Sequence, residues 1–226
     1  MATDPRKRQK KLAKKVAKRK EKHHLLIREK CLGLAERLAA ASRHPILHAG
    51  IASTLWNQGI GQAYLSRELP NGSIAFATFL IDRYCLGVKN AHADIVGRFS
   101  YESDFLPRVK DAETAAPAKV RKLVEDAVEY ARKLGFAPHP DYHKAKAIFG
   151  DIDPAACDET FEFGKDGKPL FINGPYDTPD RCRQIISTLE RSRGRDGYHF
   201  VVGGPATSAA LSEEDDEVVW EKDESL

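Results

Sequence analysis

The fold is decided by GIGQAYLSREL (59–69), PNGS (70–73) and IAFATFLIDRYCLGV (74–88), three consecutive stretches near the centre of the chain. The first and third are rich in the aliphatic and aromatic residues that strands favour. The second contains Asn71-Gly72, a pair that tolerates the positive φ angles of a tight turn. Two strand-like runs joined by such a turn predict a β-hairpin.

Helical and strand patterns alternate after this hairpin. PAKVRKLVEDAVEYARKLG (117–135) has the period of an amphipathic helix ending at glycine, and DTPDRCRQIISTLERS (177–192) opens with an N-cap threonine. TFEFGKDGKPLFI (160–172) predicts a second hairpin around its Asp-Gly pair, and GYHFVVG (197–203) predicts a further strand. The sequence therefore predicts an α+β fold: two β-hairpins plus a further strand in a mainly antiparallel sheet with packed helices, preceded by a long basic N-terminal helix.

Charge divides the 226-residue chain into three parts. Residues 1–22 hold 11 Lys and Arg against two acids, whereas residues 212–226 hold eight acids against one lysine. Such blocks are usually solvated interaction segments rather than parts of a core. We assign residues 1–43 to a basic helical arm, 44–204 to an α+β globular domain, and 205–226 to an acidic tail that we expect to be disordered.

Cysteine usage and hydropathy predict a cytoplasmic protein. Cys31, Cys85, Cys157 and Cys182 are widely spaced and form no CxxC pair, which indicates reduced, mostly buried thiols. The apolar stretch 74–81 is far shorter than the roughly 20 residues of a membrane helix, and the Lys-rich N-terminus has no apolar signal-peptide core. We therefore expect no contact with a membrane.

Asp82 is a carboxylate inside the strand pattern of residues 74–88. Regular alternation would place it on the more apolar side of the strand, with Ile74 and Phe76, where an unpaired charge is costly. One interpretation is structural, with an Arg, a Tyr hydroxyl or backbone N–H groups as partner. The other is a divalent metal such as Mg²⁺, held by Asp82 and Asp151 in a phosphodiester-cleaving centre. Further acidic candidates are Asp94, Glu102 and Asp153, of which Asp153 is expected to be an N-cap.

Histidine and thiol chemistry offers weaker candidates. His143 is a candidate general base for the metal-dependent alternative. It also follows His139 at a spacing found in zinc sites, with Cys157 as a third ligand, but Pro140 should begin a helix and leave His139 outside it. We expect Cys85 to be buried and inert rather than nucleophilic.

Aromatic residues of the two hairpins would stack on nucleic-acid bases only if they were exposed. Their positions in the strand patterns favour the core instead. They are Tyr64, Phe76, Phe79, Tyr84, Phe161, Phe163 and Phe171.

The strongest functional signal is the basic run RKRQKKLAKKVAKRKEK (6–22). It has almost no apolar face, so we expect it to become fully helical against a polyanion or a partner. The residues expected to contact nucleic acid are Arg6, Lys7, Arg8, Lys10, Lys11, Lys14, Lys15, Lys18, Arg19, Lys20 and Lys22.

These features favour a cytoplasmic protein that binds RNA or the ribosome through its basic N-terminal helix, with DNA ranked second. This function needs no cofactor. One alternative is a metal-dependent phosphodiesterase or nuclease centred on Asp82 and Asp151. Another is a module that binds a protein partner without catalysis.

Three stretches resemble an uncharacterised family of bacterial proteins: FLIDRYCLGVKNA (79–91), GDIDPAAC (150–157) and FGKDGKPLFINGPYDTPDR (163–181). The resemblance spans about residues 45–200. It implies a bacterial cytoplasmic origin and one intact domain, and it assigns no activity, cofactor or catalytic residue.

Overall fold

The computed structural model describes residues 14–15, 19–20 and 33–203. Residues 14–15 and 19–20 of the basic arm are helical and exposed. The rest of the expected N-terminal helix, Gly204 and the expected acidic tail (205–226) lie outside the described residues.

Five strands form an antiparallel sheet: β1 (Ile46–Ala52), β2 (Ile60–Glu68), β3 (Ser73–Asp82), β4 (Gly87–Gly97) and β5 (Ala112–Thr114). Their order across the sheet is β4-β3-β2-β1-β5. A separate parallel pair contains β6 (Leu170–Ile172) and β7 (His199–Val201). With the helices below, this architecture confirms the α+β class.

The helices are α1 (Leu34–Ala41), α2 (Thr54–Asn57), α3 (Arg98–Ser100), α4 (Pro117–Lys133), α5 (Tyr142–Ala145) and α6 (Pro179–Arg193). Helix α3 continues into a π-helical turn, Tyr101–Phe105, and a 3-10 turn, Leu106–Val109. Helix α5 continues into the 3-10 turn Lys146–Phe149, and Pro154–Ala156 forms another. Within the described ranges, none of these helices is long and apolar enough to cross a membrane.

The first predicted hairpin is present, since β2 and β3 pair from Ile60↔Asp82 to Glu68↔Ile74. Its turn differs in detail from the expected one. Only Gly72 takes a positive φ, at 80°, and its N–H donates to the Leu69 carbonyl at 2.9 Å. Asn71 instead accepts the Ser73 N–H through its side chain at 3.0 Å. Proline at the preceding position favours this type of turn, because its fixed φ suits the first central residue.

The main core lies between one face of the sheet and α1, α4 and residues 142–149. Strand β3 contributes Ala75, Ala77, Phe79 and Ile81 to this face, all fully buried. Regular alternation predicted the core on the side of Ile74 and Phe76, and this prediction is wrong, because these residues form a smaller cluster beneath residues 101–109. The prediction failed because it assigned the face with the larger side chains to the core. The inner face instead carries alanines, which let the helices approach the sheet closely.

The second predicted hairpin is reduced to its turn. Asp166 and Gly167 have φ of 52° and 78°, and Lys165 and Lys168 form a single antiparallel bridge. The expected first strand does not form because its aromatic residues pack elsewhere: Phe161 stacks on Trp56, and Phe163 stacks on Tyr130. The expected second strand, β6, pairs in parallel with β7 instead.

Helix α1 packs on the body through Leu38 and Ala41, although the sequence analysis included these residues in the arm. The helix begins directly after Gly33, whose backbone is extended.

Candidate functional site

Asp82 lies at the end of β3, where its carboxylate organises the turn that leads into β4. Its Oδ1 accepts the N–H groups of Tyr84 at 2.9 Å and Cys85 at 3.0 Å, and its Oδ2 accepts that of Leu86 at 3.2 Å. Burial raises the pKa of Asp82 above its ordinary value, while the three N–H groups and Lys89 oppose this shift. The structural interpretation is therefore confirmed, with backbone N–H groups as the partners.

Asp151 lies elsewhere on the molecule, near enough to Arg67 to act on its pKa. Arg67 pairs with Ala75, seven residues along β3 from Asp82, which is about 23 Å of strand. Asp82 and Asp151 are thus not placed to share a metal ion, which corrects the metal-centred interpretation. Among the described residues, no group of three or more His, Cys, Asp or Glu side chains is arranged to hold one.

The remaining chemical candidates take structural places. His143 is exposed on α5, with its ring against Tyr142. Asp153 is the expected N-cap and accepts the Ala155 N–H at 2.9 Å. Burial raises the pKa of the Cys85 thiol, which disfavours the nucleophilic thiolate. Of the hairpin aromatics, Tyr64, Phe76, Phe79 and Phe171 are buried, as expected.

A cleft of about 790 Å³ opens between α6, the loop 135–140 and the start of β4. The charged and titratable side chains that line it are Lys89, His139, Asp177, Arg181, Arg183 and Arg191. We call it the cationic cleft, because four basic side chains face one carboxylate. A concave site lined by convergent polar groups is the usual form of a ligand site.

Helix α6 supplies most of this charge because its two faces differ. Thr178 caps the helix by accepting the Arg181 N–H at 3.2 Å, as the sequence predicted, and Pro179 follows at the first position. Cys182, Ile185 and Leu189 are buried against the body. Cleft-lining residues recur on the neighbouring face at helical spacing: Arg181, Gln184, Thr188 and Arg191.

The opposite wall of the cleft comes close to α6 at Gly135, which ends the segment after α4 with a φ of 93°. A Cβ atom there would lie 3.0 Å from Cγ2 of Thr188. Glycine therefore both permits the left-handed turn and leaves room for the helix.

The single lining carboxylate is largely neutralised by a neighbour. The Lys89 ammonium contacts Oδ2 of Asp177 at 3.2 Å, and the Gly174 N–H donates to the same oxygen at 2.7 Å. Burial opposes ionisation of Asp177, but these two donors, together with the nearby charge of Arg181, outweigh it and lower its pKa. Arg181 and Arg191 have no ion-pair partner within the part of the chain that the structure describes. Both side chains are exposed on the wall of the cleft.

Two buried polar groups escaped the sequence analysis. Arg67 is 5% exposed, and Tyr101 is fully buried with its hydroxyl 2.8 Å from Ser66 Oγ and 2.9 Å from Nδ1 of His48. Burial raises the pKa of Tyr101 to about 12. Ser66 and Arg67, two polar residues inside a strand pattern, were the signal available in the sequence. If such residues are buried, they must find hydrogen-bond partners.

The comparisons with known proteins found no match to the chain among protein-family models, curated proteins or solved structures.

Proposed function

We propose that the protein binds RNA, free or in the ribosome, through the basic N-terminal arm and the cationic cleft of the body. The observation that carries this proposal is the cleft, where Arg181 and Arg191 project from one face of a capped helix without ion-pair partners in the described chain. Arginine suits this role, because its planar fork of N–H donors matches phosphate oxygens.

The basic arm and the cationic cleft have different roles in this binding. The arm brings 11 positive charges within 22 residues and supplies affinity through counterion release. The cleft belongs to the folded body, so it fixes the register in which the body meets the RNA backbone.

We propose that this binding takes place in the cytoplasm. Cys85, Cys157 and Cys182 are buried and unpaired among the described residues, which suits a reducing compartment.

Replacing both Arg181 and Arg191 with glutamine tests the cleft. We expect RNA affinity at 50 mM salt, a condition chosen for the assay, to fall roughly 10-fold. The slope of log K against log salt should become shallower by about 1.4, since each lost contact to a single strand removes about 0.7. Fluorescence anisotropy of a labelled RNA of about 12 nucleotides measures both the affinity and its salt dependence.

The matched control replaces Arg193 and Arg195 with glutamine. Arg193 is the last residue of the same helix, and Arg195 follows it and pairs with Glu190. Both have the same charge as the replaced pair and are exposed, but they do not line the cleft. Their replacement should leave the slope nearly unchanged. An equal loss in both double variants would contradict a docking role for the cleft, and tighter binding to DNA of the same sequence would contradict the assignment of RNA.

A further inference from the structure

We infer that Tyr176 and the cationic cleft together form a site for single-stranded RNA, in which one unpaired base stacks on the tyrosine ring. The phosphates that follow this base lie along Arg181 and Arg191. This inference rests on the proposed RNA binding and specifies the form of RNA that the body selects.

Tyr176 lies at the tip of a hydrogen-bonded turn. The Asp177 N–H donates to the Gly174 carbonyl at 3.1 Å, and Pro175 occupies the first central position, where its fixed φ favours such a turn. The turn is anchored before its start by the Asn173 N–H, which donates to Val201 of β7 at 3.2 Å. After it, Thr178 caps α6. The ring therefore stands on a backbone that loses little conformational entropy when a ligand binds.

The tyrosine ring is open to a ligand. Tyr176 is 95% exposed, more than any other large hydrophobic residue in the described ranges. Aromatic side chains beside basic grooves are the usual platform on which proteins stack unpaired bases.

The platform is continuous with the cleft. Asp177, the next residue, lines the cleft and is neutralised by Lys89, so it presents little repulsion to phosphates. From Arg181 to Arg191 the helix face runs ten residues, or about 15 Å. This length is enough for more than one phosphate of a strand to meet the helix face.

A duplex does not satisfy this arrangement. Its bases are paired and stacked within the helix, so none is available to the Tyr176 ring without unstacking. The phosphate contacts remain available to both forms of RNA. The tyrosine thus confers a preference for single strands that the arginines alone do not provide.

The test compares Tyr176→Ala with Phe99→Ala in the full chain. Phe99 is 82% exposed and lies in α3, outside the residues that line the cleft, so it is a matched control for the loss of an exposed aromatic ring. We expect Tyr176→Ala to weaken binding of a labelled single-stranded 12-mer at least about 5-fold. Binding of the matching duplex should not change. Tyr176→Phe, which keeps the ring, should bind like the parent protein.

The salt dependence separates stacking from charge. Stacking releases no counterions, so Tyr176→Ala should shift log K without changing its slope against log salt, unlike the Arg181 and Arg191 variant. An equal loss of single-strand and duplex affinity, or no loss at all, would overturn the inference. If the double replacement of Arg181 and Arg191 weakens RNA binding while Tyr176→Ala does not, the single-strand site fails but the proposed RNA binding stands. If no RNA binds in a salt-dependent manner, the proposed function fails with it.

Discussion

Replacement of Asp82 with alanine is expected to lower the free energy of unfolding by about 3 to 5 kcal/mol, because three N–H groups of the β3–β4 turn lose their acceptor together. These donors lie at Tyr84, Cys85 and Leu86, and Cys85 is fully buried. Water cannot readily replace an acceptor beside such a residue. Urea denaturation of the full chain measures the loss.

Asp153→Ala is the matched control, because that carboxylate accepts a single N–H in an exposed turn. We expect a cost of about 1 kcal/mol for it, as for an ordinary helix cap. A loss below about 1 kcal/mol for Asp82→Ala would contradict the structural role of this residue.

The pH dependence of stability gives the same prediction a second readout. Burial raises the pKa of folded Asp82 above its ordinary value, so the folded state holds the proton more tightly than the unfolded state. The stability that this group contributes is complete below that value and is lost as pH rises through the raised pKa. The parent protein should therefore lose stability relative to Asp82→Asn over this window, since asparagine does not titrate. A relative gain would mean that the N–H groups outweigh burial.

Replacement of Arg67 with methionine is expected to cost about 3 to 5 kcal/mol of unfolding free energy. The guanidinium donates from Nε to the Ile148 carbonyl at 2.9 Å, from Nη1 to that of His44 at 2.7 Å, and from Nη2 to that of Phe149 at 3.0 Å. It therefore ties the α1–β1 connection to the 3-10 turn after α5. Methionine fills similar volume but leaves these carbonyls without donors.

Arg67→Lys should be almost as destabilising, because a single ammonium cannot reproduce the three directions of the guanidinium fork. The control is Arg98→Met, since Arg98 forms exposed ion pairs with Glu68 and Glu102 and such pairs contribute little. Chemical denaturation measures the free energy of unfolding of the three variants. Equal stability of Arg67→Met and Arg98→Met would show that the buried bonds are not needed.

Elements with local signals were predictable from the sequence. The β2–β3 hairpin follows from two strand patterns around a turn, α4 from its apolar period and Gly135, and α6 from Thr178-Pro179. These signals lie within a few residues of the elements that they define. Tertiary packing reinforces them and does not reverse them.

Elements that depend on distant partners were missed. Strand β6 pairs with β7, 29 residues further along at Leu170↔His199, and no local pattern specifies that choice. The aromatic residues of the second expected hairpin pack against Trp56 and Tyr130, so tertiary contacts outweighed strand propensity.

The candidate site was only partly visible in the sequence. Lys89, the loop 135–140 and α6 are brought together by the fold, and no motif joins them. The recurrence of Arg181 and Arg191 on one helix face was the available local signal. Asp82 was identified as a residue in need of a partner, but its partners lie within the next four residues, because the strand ends at that aspartate.

The central claim is that the arm and the cleft bind RNA together, and the salt dependence of binding tests it most directly. Contacts with about six phosphates of a single strand predict a slope of log K against log salt near −4 for the full chain. Replacing the 11 basic residues of positions 1–22 with glutamine should remove most of that slope and leave the smaller part due to the cleft. A slope near zero for the full chain, or an affinity and slope unchanged by this replacement, would contradict the account.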